Sequence, residues 1–153
     1  MDLDQILGVT LSGVRPEDRD AVVALIRDCG LHTEDITDKM LRDFLVARKG
    51  GELAGVVGLE IYGTDALFRS LAVAEAHRGK GIGRKLVEAA EKAARSRGVS
   101  TLHLLTMTAE GFFTGRGYET WDRSRAPEPI RATAEFSRLC PDSAVCMRKK
   151  IAG

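Results

Sequence analysis

The chain has 153 residues, a length that fits one domain with a real hydrophobic core. Its 44% hydrophobic and 29% charged residues are ordinary for a soluble globular protein. A balance of 23 Lys and Arg against 22 Asp and Glu excludes a general electrostatic attraction to nucleic acid or an anionic membrane. We therefore expect one domain over residues 1–153 that binds neither nucleic acid nor a membrane.

Residues 9–43 predict a strand followed by an amphipathic helix. A weak strand pattern covers residues 9–14, and Pro16 stands where a helix favours its first turn. Apolar residues then recur at i, i+3, i+4 and i+7 until Gly30 ends the helix: Val22, Leu25, Ile26 and Cys29. Residues 38–43 predict a short second helix.

The rest of the chain predicts a mixed sheet. Residues 44–48, 53–62 and 66–73 form three successive strands joined by tight turns, so these strands pair antiparallel. The later residues predict a helix over 81–97, a strand over 101–106, a short helix over 109–114, and strands from Tyr118 and over 143–151. We expect an α/β fold, with a mixed and mostly antiparallel central sheet of about six to seven strands flanked by about four helices. Residues 122–142 are predicted as a long connection.

The first five residues and the cysteines indicate in which cellular compartment the protein works. Residues 1–5 are acidic where a signal peptide is basic, and no apolar run approaches the length of about 20 residues that spans a bilayer. The three cysteines, Cys29, Cys140 and Cys146, lack the spacing of a disulfide framework. We expect free thiols in a reducing cytoplasm.

The most informative stretch is a glycine-rich turn at residues 78–85, after a strand and before a helix. Alternate glycines leave backbone N–H groups uncovered at the positive end of the helix, which favours phosphate oxygens: Gly79, Gly81 and Gly83. Four cationic side chains surround them: Arg78, Lys80, Arg84 and Lys85. The turn predicts a small polyphosphate ligand; the alternative is a solvated basic turn that only reverses the chain.

Two other phosphate-binding motifs fail on spacing. A P-loop requires Ser or Thr after its lysine, which neither Lys80 nor Lys85 provides. A dinucleotide fingerprint requires Gly-x-Gly-x-x-Gly in a parallel unit, whereas the glycines here alternate and hairpins precede them.

Arg78, Gly81 and Gly83 match the Arg/Gln-x-x-Gly-x-Gly/Ala motif of the GNAT superfamily, which the chain therefore resembles. Residues 109–118 also look like that superfamily's late helix, which ends in Gly-aromatic. More narrowly, the chain resembles GNAT acetyltransferases found with arsenic-resistance genes, through residues 31–36, 58–60, 67–73, 130–133, 136 and 140–141.

The resemblance implies that acetyl-CoA is the co-substrate, that no metal takes part, and that a small-molecule amine is the acceptor. It implies a pantetheine arm along Leu71, Ala72 and Val73. It implies a pyrophosphate on the turn formed by Arg78, Gly79, Lys80, Gly81, Ile82, Gly83 and Arg84. The amine attacks the thioester directly, and a carboxylate takes its proton, often through water. A homodimer is left open.

One position departs from the family pattern. Many members carry a tyrosine in the late helix that protonates the departing sulfur. In this chain Phe113 takes that position and has no proton to give. The resemblance still implies that Phe113 contacts the cofactor. A thiol with a pKa of about 8.5 can leave as thiolate without such help. Tyr118 is interpreted as a packing aromatic.

Glu60 is the predicted general base, because a carboxylate in so apolar a strand is costly to bury without a partner. The alternative is an ion pair with Arg69 on the adjacent strand, and Arg69 is also a candidate substrate-binding residue. Glu34 and Asp35 follow the first helix and could meet a cationic amine, unless they form only a solvated acidic loop.

The remaining candidates have plainer interpretations. We expect His77 to be an exposed turn residue and His103 to pack against a neighbouring helix. Cys140 and Cys146 could bind a soft metalloid, although buried packing is the alternative for Cys146. Arginines in the long connection could bind a substrate carboxylate or serve only as surface charge: Arg123, Arg125, Arg131 and Arg138.

The residues and the resemblance together imply two functions. One is an N-acetyltransferase for a small amine, with an amino-acid-like toxicant linked to arsenic resistance as its acceptor. The other is a non-catalytic acyl-CoA sensor that regulates a partner, which Phe113 mildly favours.

Overall fold

A computed structural model describes residues 8–152. Its strands are β1 (Val9–Gly13), β2 (Leu45–Lys49), β3 (Glu52–Tyr62), β4 (Asp65–Val73), β5 (Thr101–Thr106), β6 (Glu119–Thr120) and β7 (Val145–Lys150). Its α-helices are α1 (Arg19–Asp28), α2 (Asp38–Leu41), α3 (Ile82–Ser96), α4 (Glu110–Thr114) and α5 (Glu128–Arg131). Short 3-10 turns at Pro16–Asp18, Glu75–His77 and Arg123–Arg125 and a π turn at Glu135–Leu139 complete the set.

The seven strands form one mixed sheet in the order β1-β2-β3-β4-β5-β7-β6. The β1–β2, β2–β3, β5–β7 and β6–β7 pairs are antiparallel, whereas β4 and β5 pair in parallel through Leu67 and His103. The parallel pair requires a crossover, which α3 supplies. The predicted α/β class with a mixed, mostly antiparallel sheet is confirmed.

The described residues fold as two compact units. Residues 8–59 and 70–92 form the first. Its core is an apolar cluster in which α1 and α2 cover strands β2 and β3: Val22, Ile26, Leu41, Phe44, Val46, Val56 and Ala72. Gly58 allows β3 to pack closely on Phe44, because a Cβ there would stand 2.4 Å from the Phe44 ring.

The second unit comprises residues 60–69 and 93–152. Its core cluster contains Leu67, Ala126, Ile130, Phe136 and Cys146. Three of these residues come from the long connection at 122–142, which therefore carries ordered turns and core side chains. The strand predicted from Tyr118 is short, because only Glu119 and Thr120 pair with β7.

Candidate functional site

The glycine-rich turn lies in the first unit, where β4 ends and α3 begins. Gly79 and Gly81 have φ of 76° and 83°, a left-handed conformation that favours glycine. A Cβ at either position would meet no atom within 4 Å, so the space above the turn is open. The first helical hydrogen bond joins Lys85 N to Gly81 O at 3.1 Å, which leaves the preceding N–H groups without helical acceptors. This arrangement fits a phosphate group.

Side chains of the turn divide between the interior and the surface. Ile82 is buried and anchors the start of α3, whereas Lys80 and Arg84 are exposed. The Arg84 guanidinium lies 3.3 Å from Glu88 one turn further along the helix. The turn therefore presents positive charge to solvent.

Arg78, predicted to bind the cofactor, also holds the turn against the end of β4. Its Nε donates to the Val73 carbonyl at 3.0 Å, and its Nη2 lies 3.5 Å from the Cys29 sulfur. The Cys29 thiol contacts the same carbonyl at 3.7 Å. Arg78 thus connects the C-terminal end of α1 to the strand predicted to carry the pantetheine.

Ser70 is an unusual residue immediately before the strand segment Leu71–Val73. Its φ is 59°, and it is the one non-glycine residue of the described chain with a positive φ. Such a conformation costs of order 1–3 kcal/mol and is concentrated at functional sites. Ser70 stands where the candidate cofactor segment of β4 begins, and serine carries no sequence signal for such a conformation.

The prediction that His77 is exposed is wrong. The 3-10 turn at Glu75–His77 folds the imidazole inward, where it is buried, with the Glu52 carboxylate 3.6 Å from Nε2. Within the described residues neither ring nitrogen has a hydrogen-bond partner.

The second unit contains the predicted base in a buried ion-pair network. Glu60 Oε2 lies 2.7 Å from Arg69 Nη1, and Arg69 Nη2 lies 3.3 Å from Glu135 Oε2. The Arg69 side chain is fully buried, and those of Glu60 and Glu135 are only 10% and 9% exposed. The Tyr62 hydroxyl donates to Glu60 Oε1 at 2.6 Å. Sequence reasoning found Glu60 and Arg69 but missed Tyr62 and Glu135.

The other predicted substrate residues belong to the first unit. Glu34 is exposed in the loop after α1, with its carboxylate 3.3 Å from His32 Nδ1, and Asp35 is half-buried in the same loop.

Phe113 packs in an aromatic cluster of the second unit. Its ring makes edge contacts with Phe68, Phe112 and Tyr118 at centroid distances of 5.5, 5.2 and 5.4 Å. Phe113 and Tyr118 are both buried. A phenyl ring in this place supplies packing and carries no proton that could be donated.

Polar side chains of the second unit are largely committed to structure. Arg123 donates to the carbonyls of Pro141, Phe136 and Cys140 at 2.8, 2.6 and 3.0 Å, which clasps the long connection. Arg131 Nε donates to Ala126 O at 2.9 Å. These two arginines therefore stabilise the backbone of the long connection through hydrogen bonds to its carbonyls.

His103 and the cysteines were the remaining candidates for a functional role. Buried His103 contacts Asp65 through Nε2 at 2.8 Å. Burial raises the pKa of the Cys146 thiol to about 11. Within residues 8–152, no cluster of three or more His, Cys, Asp or Glu side chains could hold a metal ion.

A groove that the sequence did not predict opens in the first unit. It has a volume of about 310 Å³, and it is lined by Val14, Arg15, Pro16, Arg19, Asp38, Leu41 and Arg42. The charges on its rim are partly paired, since Arg19 contacts Asp38 and Arg15 lies 3.2 Å from Asp18. Hydrogen bonds from Arg15 and Arg48 lower the pKa of Asp18 to about 2.

Residues 41–120, more than half of the chain, match the acetyltransferase (GNAT) domain family, so the chain belongs to this family. It is 41% identical over 91 residues to an uncharacterized N-acetyltransferase of Chlorobaculum tepidum, an alignment that covers 59% of this chain and 58% of that one. The chain thus spans little more than half the length of this relative. None of the helices described is long and apolar enough to cross a membrane.

Solved structures share the fold at low sequence identity. The N-acetylglutamate synthase of Neisseria gonorrhoeae, in complex with coenzyme A and N-acetyl-glutamate, is 20% identical with a TM-score of 0.83, over 95% of this chain and 35% of that one. Rv2747 of Mycobacterium tuberculosis, also solved with CoA, is 20% identical with a TM-score of 0.78, over 92% and 98% of the two chains. The PaiA N-acetyltransferase of Thermoplasma acidophilum with coenzyme A has a TM-score of 0.68 at 18% identity, over 93% and 98%.

Proposed function

We propose that this chain is an acetyl-CoA-dependent N-acetyltransferase that acts on the amine of a small molecule. The observation that carries the proposal is the open glycine turn between β4 and α3 in a chain of the GNAT family. Uncovered N–H groups at a helix start bind phosphate oxygens, and coenzyme A offers a pyrophosphate. Gly79, Gly81 and Gly83 would hold that pyrophosphate, and Lys80 and Arg84 would add charge.

The chemistry is a direct transfer. The pantetheine arm runs along Leu71–Val73, where a backbone N–H polarises the thioester carbonyl. The neutral amine attacks that carbonyl carbon, a C–N bond forms, the C–S bond breaks, and the sulfur leaves with its electron pair. Phe113 has no proton to offer, so the sulfur leaves as thiolate, which a thiol pKa of about 8.5 allows.

Glu60 is proposed as the group that takes the proton from the acceptor. Its carboxylate is held by Arg69 and Tyr62, a fixed geometry that favours directed proton transfer over a freely solvated side chain. Glu34 and Asp35 are proposed to contact the acceptor, and Arg69, which is fully buried, is proposed to act on the acceptor through the Glu60 carboxylate that it holds.

The finer identity of the acceptor is proposed from the resemblance to acetyltransferases of arsenic-resistance genes. An amino-acid-like toxicant bearing arsenic or phosphorus would be acetylated on its amine. The chain would act as a single domain over residues 1–153, in the reducing cytoplasm and without a metal, alone or as a homodimer.

The test is release of thiol from acetyl-CoA across a panel of amines: polyamines, amino acids, aminoglycosides, and phosphinic and arsenic-bearing amino acids. A blank without acceptor is needed because the protein carries three cysteines. Turnover with one class supports the proposal and names the acceptor chemistry. Glu60→Gln should slow turnover and leave acetyl-CoA binding unchanged.

The alternative is an acyl-CoA sensor without catalysis, which the loss of the family's tyrosine at Phe113 favours. It predicts that acetyl-CoA raises the melting temperature while no amine is acetylated. It also predicts different affinities for acetyl-CoA and free CoA.

A further inference from the structure

Tyr62 connects the surface of the second unit to the buried carboxylate of Glu60. It is the last residue of β3, and it is 38% exposed. The Glu60 side chain, two residues earlier and therefore on the same face of the strand, is only 10% exposed. The Tyr62 hydroxyl donates to Glu60 Oε1 at 2.6 Å, a short hydrogen bond of the kind that an O–H forms with a carboxylate.

The second oxygen of Glu60 is also engaged. Arg69 Nη1 lies 2.7 Å from Oε2, and the guanidinium is fully buried. A proton that arrives at Glu60 therefore adds to Oε1, the oxygen that faces the phenol. Arg69 keeps Glu135 as a carboxylate partner at 3.3 Å when Glu60 becomes neutral, so protonation does not leave a buried cation without its counter-charge.

We propose that Tyr62 relays the acceptor's proton to Glu60, an inference that rests on the proposed acetyl transfer. The acceptor ammonium gives a proton to the Tyr62 oxygen while the Tyr62 hydroxyl proton passes to Glu60 Oε1. One N–H and one O–H bond break, two O–H bonds form, and the phenol stays neutral. The freed amine attacks the thioester, the thiolate departs, and the second proton of the nitrogen passes to water. Tyr62 is then the catalytic residue that touches the substrate, and Glu60 acts through it.

The test compares the pH dependence of kcat/KM in the wild type, Tyr62→Phe, Glu60→Gln and the double variant, with an amine on which the wild type turns over. At pH 7 each single variant should lose about 100-fold, the scale of general acid–base catalysis. The loss should shrink as the pH approaches the acceptor's own pKa, about 10.4 for a lysine-like amine, since a neutral amine needs no base. The double variant should be no slower than either single variant, because the two groups act as one unit.

Tyr118→Phe is the matched control, since it removes the same hydroxyl from the other of the chain's two tyrosines. Tyr118 packs in the aromatic cluster, so this variant should keep the wild-type pH profile. Melting temperature and acetyl-CoA affinity check that each variant folds and binds. Should Tyr62→Phe fail to fold, Glu60→Asp withdraws the carboxylate from the phenol by one methylene and should give the same pH-dependent loss.

Three outcomes would overturn the relay: an unchanged rate in Tyr62→Phe, a loss that is the same at every pH, or additive losses in the double variant. The second would mean that the phenol only positions the carboxylate. A wild type that binds acetyl-CoA and acetylates no amine would instead refute the proposed function, and the relay with it.

Discussion

Replacing Gly81 with alanine should weaken acetyl-CoA binding and fold stability for separate reasons. The φ of 83° places the new Cβ in the left-handed region, which costs roughly 1–2 kcal/mol per residue. The Cβ would meet no protein atom within 4 Å, so no steric term adds to this cost. At about 2–4 °C per kcal/mol for a chain of this size, the melting temperature should fall by roughly 2–8 °C.

Gly98 provides a matched control within the same protein. It follows the C-terminal end of α3, its φ is 84°, and a Cβ there also meets nothing within 4 Å. Gly98→Ala should therefore show the same loss of stability as Gly81→Ala. It lies outside the proposed phosphate turn, so it should bind acetyl-CoA like the wild type.

Isothermal calorimetry with acetyl-CoA separates the two effects. Gly81→Ala should bind at least about tenfold more weakly, a change of 1.4 kcal/mol, because its methyl group stands in the open space assigned to the pyrophosphate. Equal affinities in both alanine variants would show that the phosphates lie elsewhere. Equal losses in both would show that backbone strain alone disturbs binding.

Three further predictions concern packing and ionisation. Gly58→Ala places a Cβ 2.4 Å from the buried Phe44 ring and should cost about 1–3 kcal/mol in urea unfolding; an unchanged midpoint would contradict this packing. Because the pKa of Asp18 is lowered to about 2, its ion pairs stabilise the fold above pH 4 and are lost as the pH falls towards 2. Asp18→Asn should therefore flatten the acid limb of urea midpoints measured from pH 5 to 2, and a limb as steep as the wild type would refute this. Cys146, with a thiol pKa of about 11, should alkylate far more slowly at pH 8 than Cys140, and comparable labelling by peptide mapping would show that it is accessible.

The regular elements could be predicted because each depends on a local pattern. The strand over 101–106 has the predicted bounds, and α3 lies within one residue of its predicted range. Alternation and helical spacing report which face is buried, and burial supplies most of the stability of such elements. The sequence also predicts the glycine turn, because the N–H groups proposed to bind phosphate belong to the backbone of consecutive residues.

Other features had no local signal. Ser70 takes a left-handed conformation that serine rarely adopts. His77 stands beside charged residues that suggest a surface turn, and only its 3-10 turn directs it inward. The connection at 122–142 has elements too short for periodicity to reveal. Its conformation is stabilised by the hydrogen bonds of Arg123 to backbone carbonyls and by burial of Ile130 and Phe136.

The cofactor half of the proposed reaction is easier to predict from the sequence than the acceptor half. The proposed cofactor turn would bind through main-chain groups, so glycines at fixed spacing indicate it. The network around Arg69 joins side chains of β3, β4 and a π turn near the end of the chain, and no spacing rule connects residues 60, 69 and 135. Glu135 and Tyr62 lie outside the glycine turn, so a change at either residue leaves the cofactor motif intact. The prediction of acetyl-CoA therefore rests on the glycine motif. The hypothesis about the amine rests on the carboxylates of Glu60 and Glu135 and on the phenol of Tyr62.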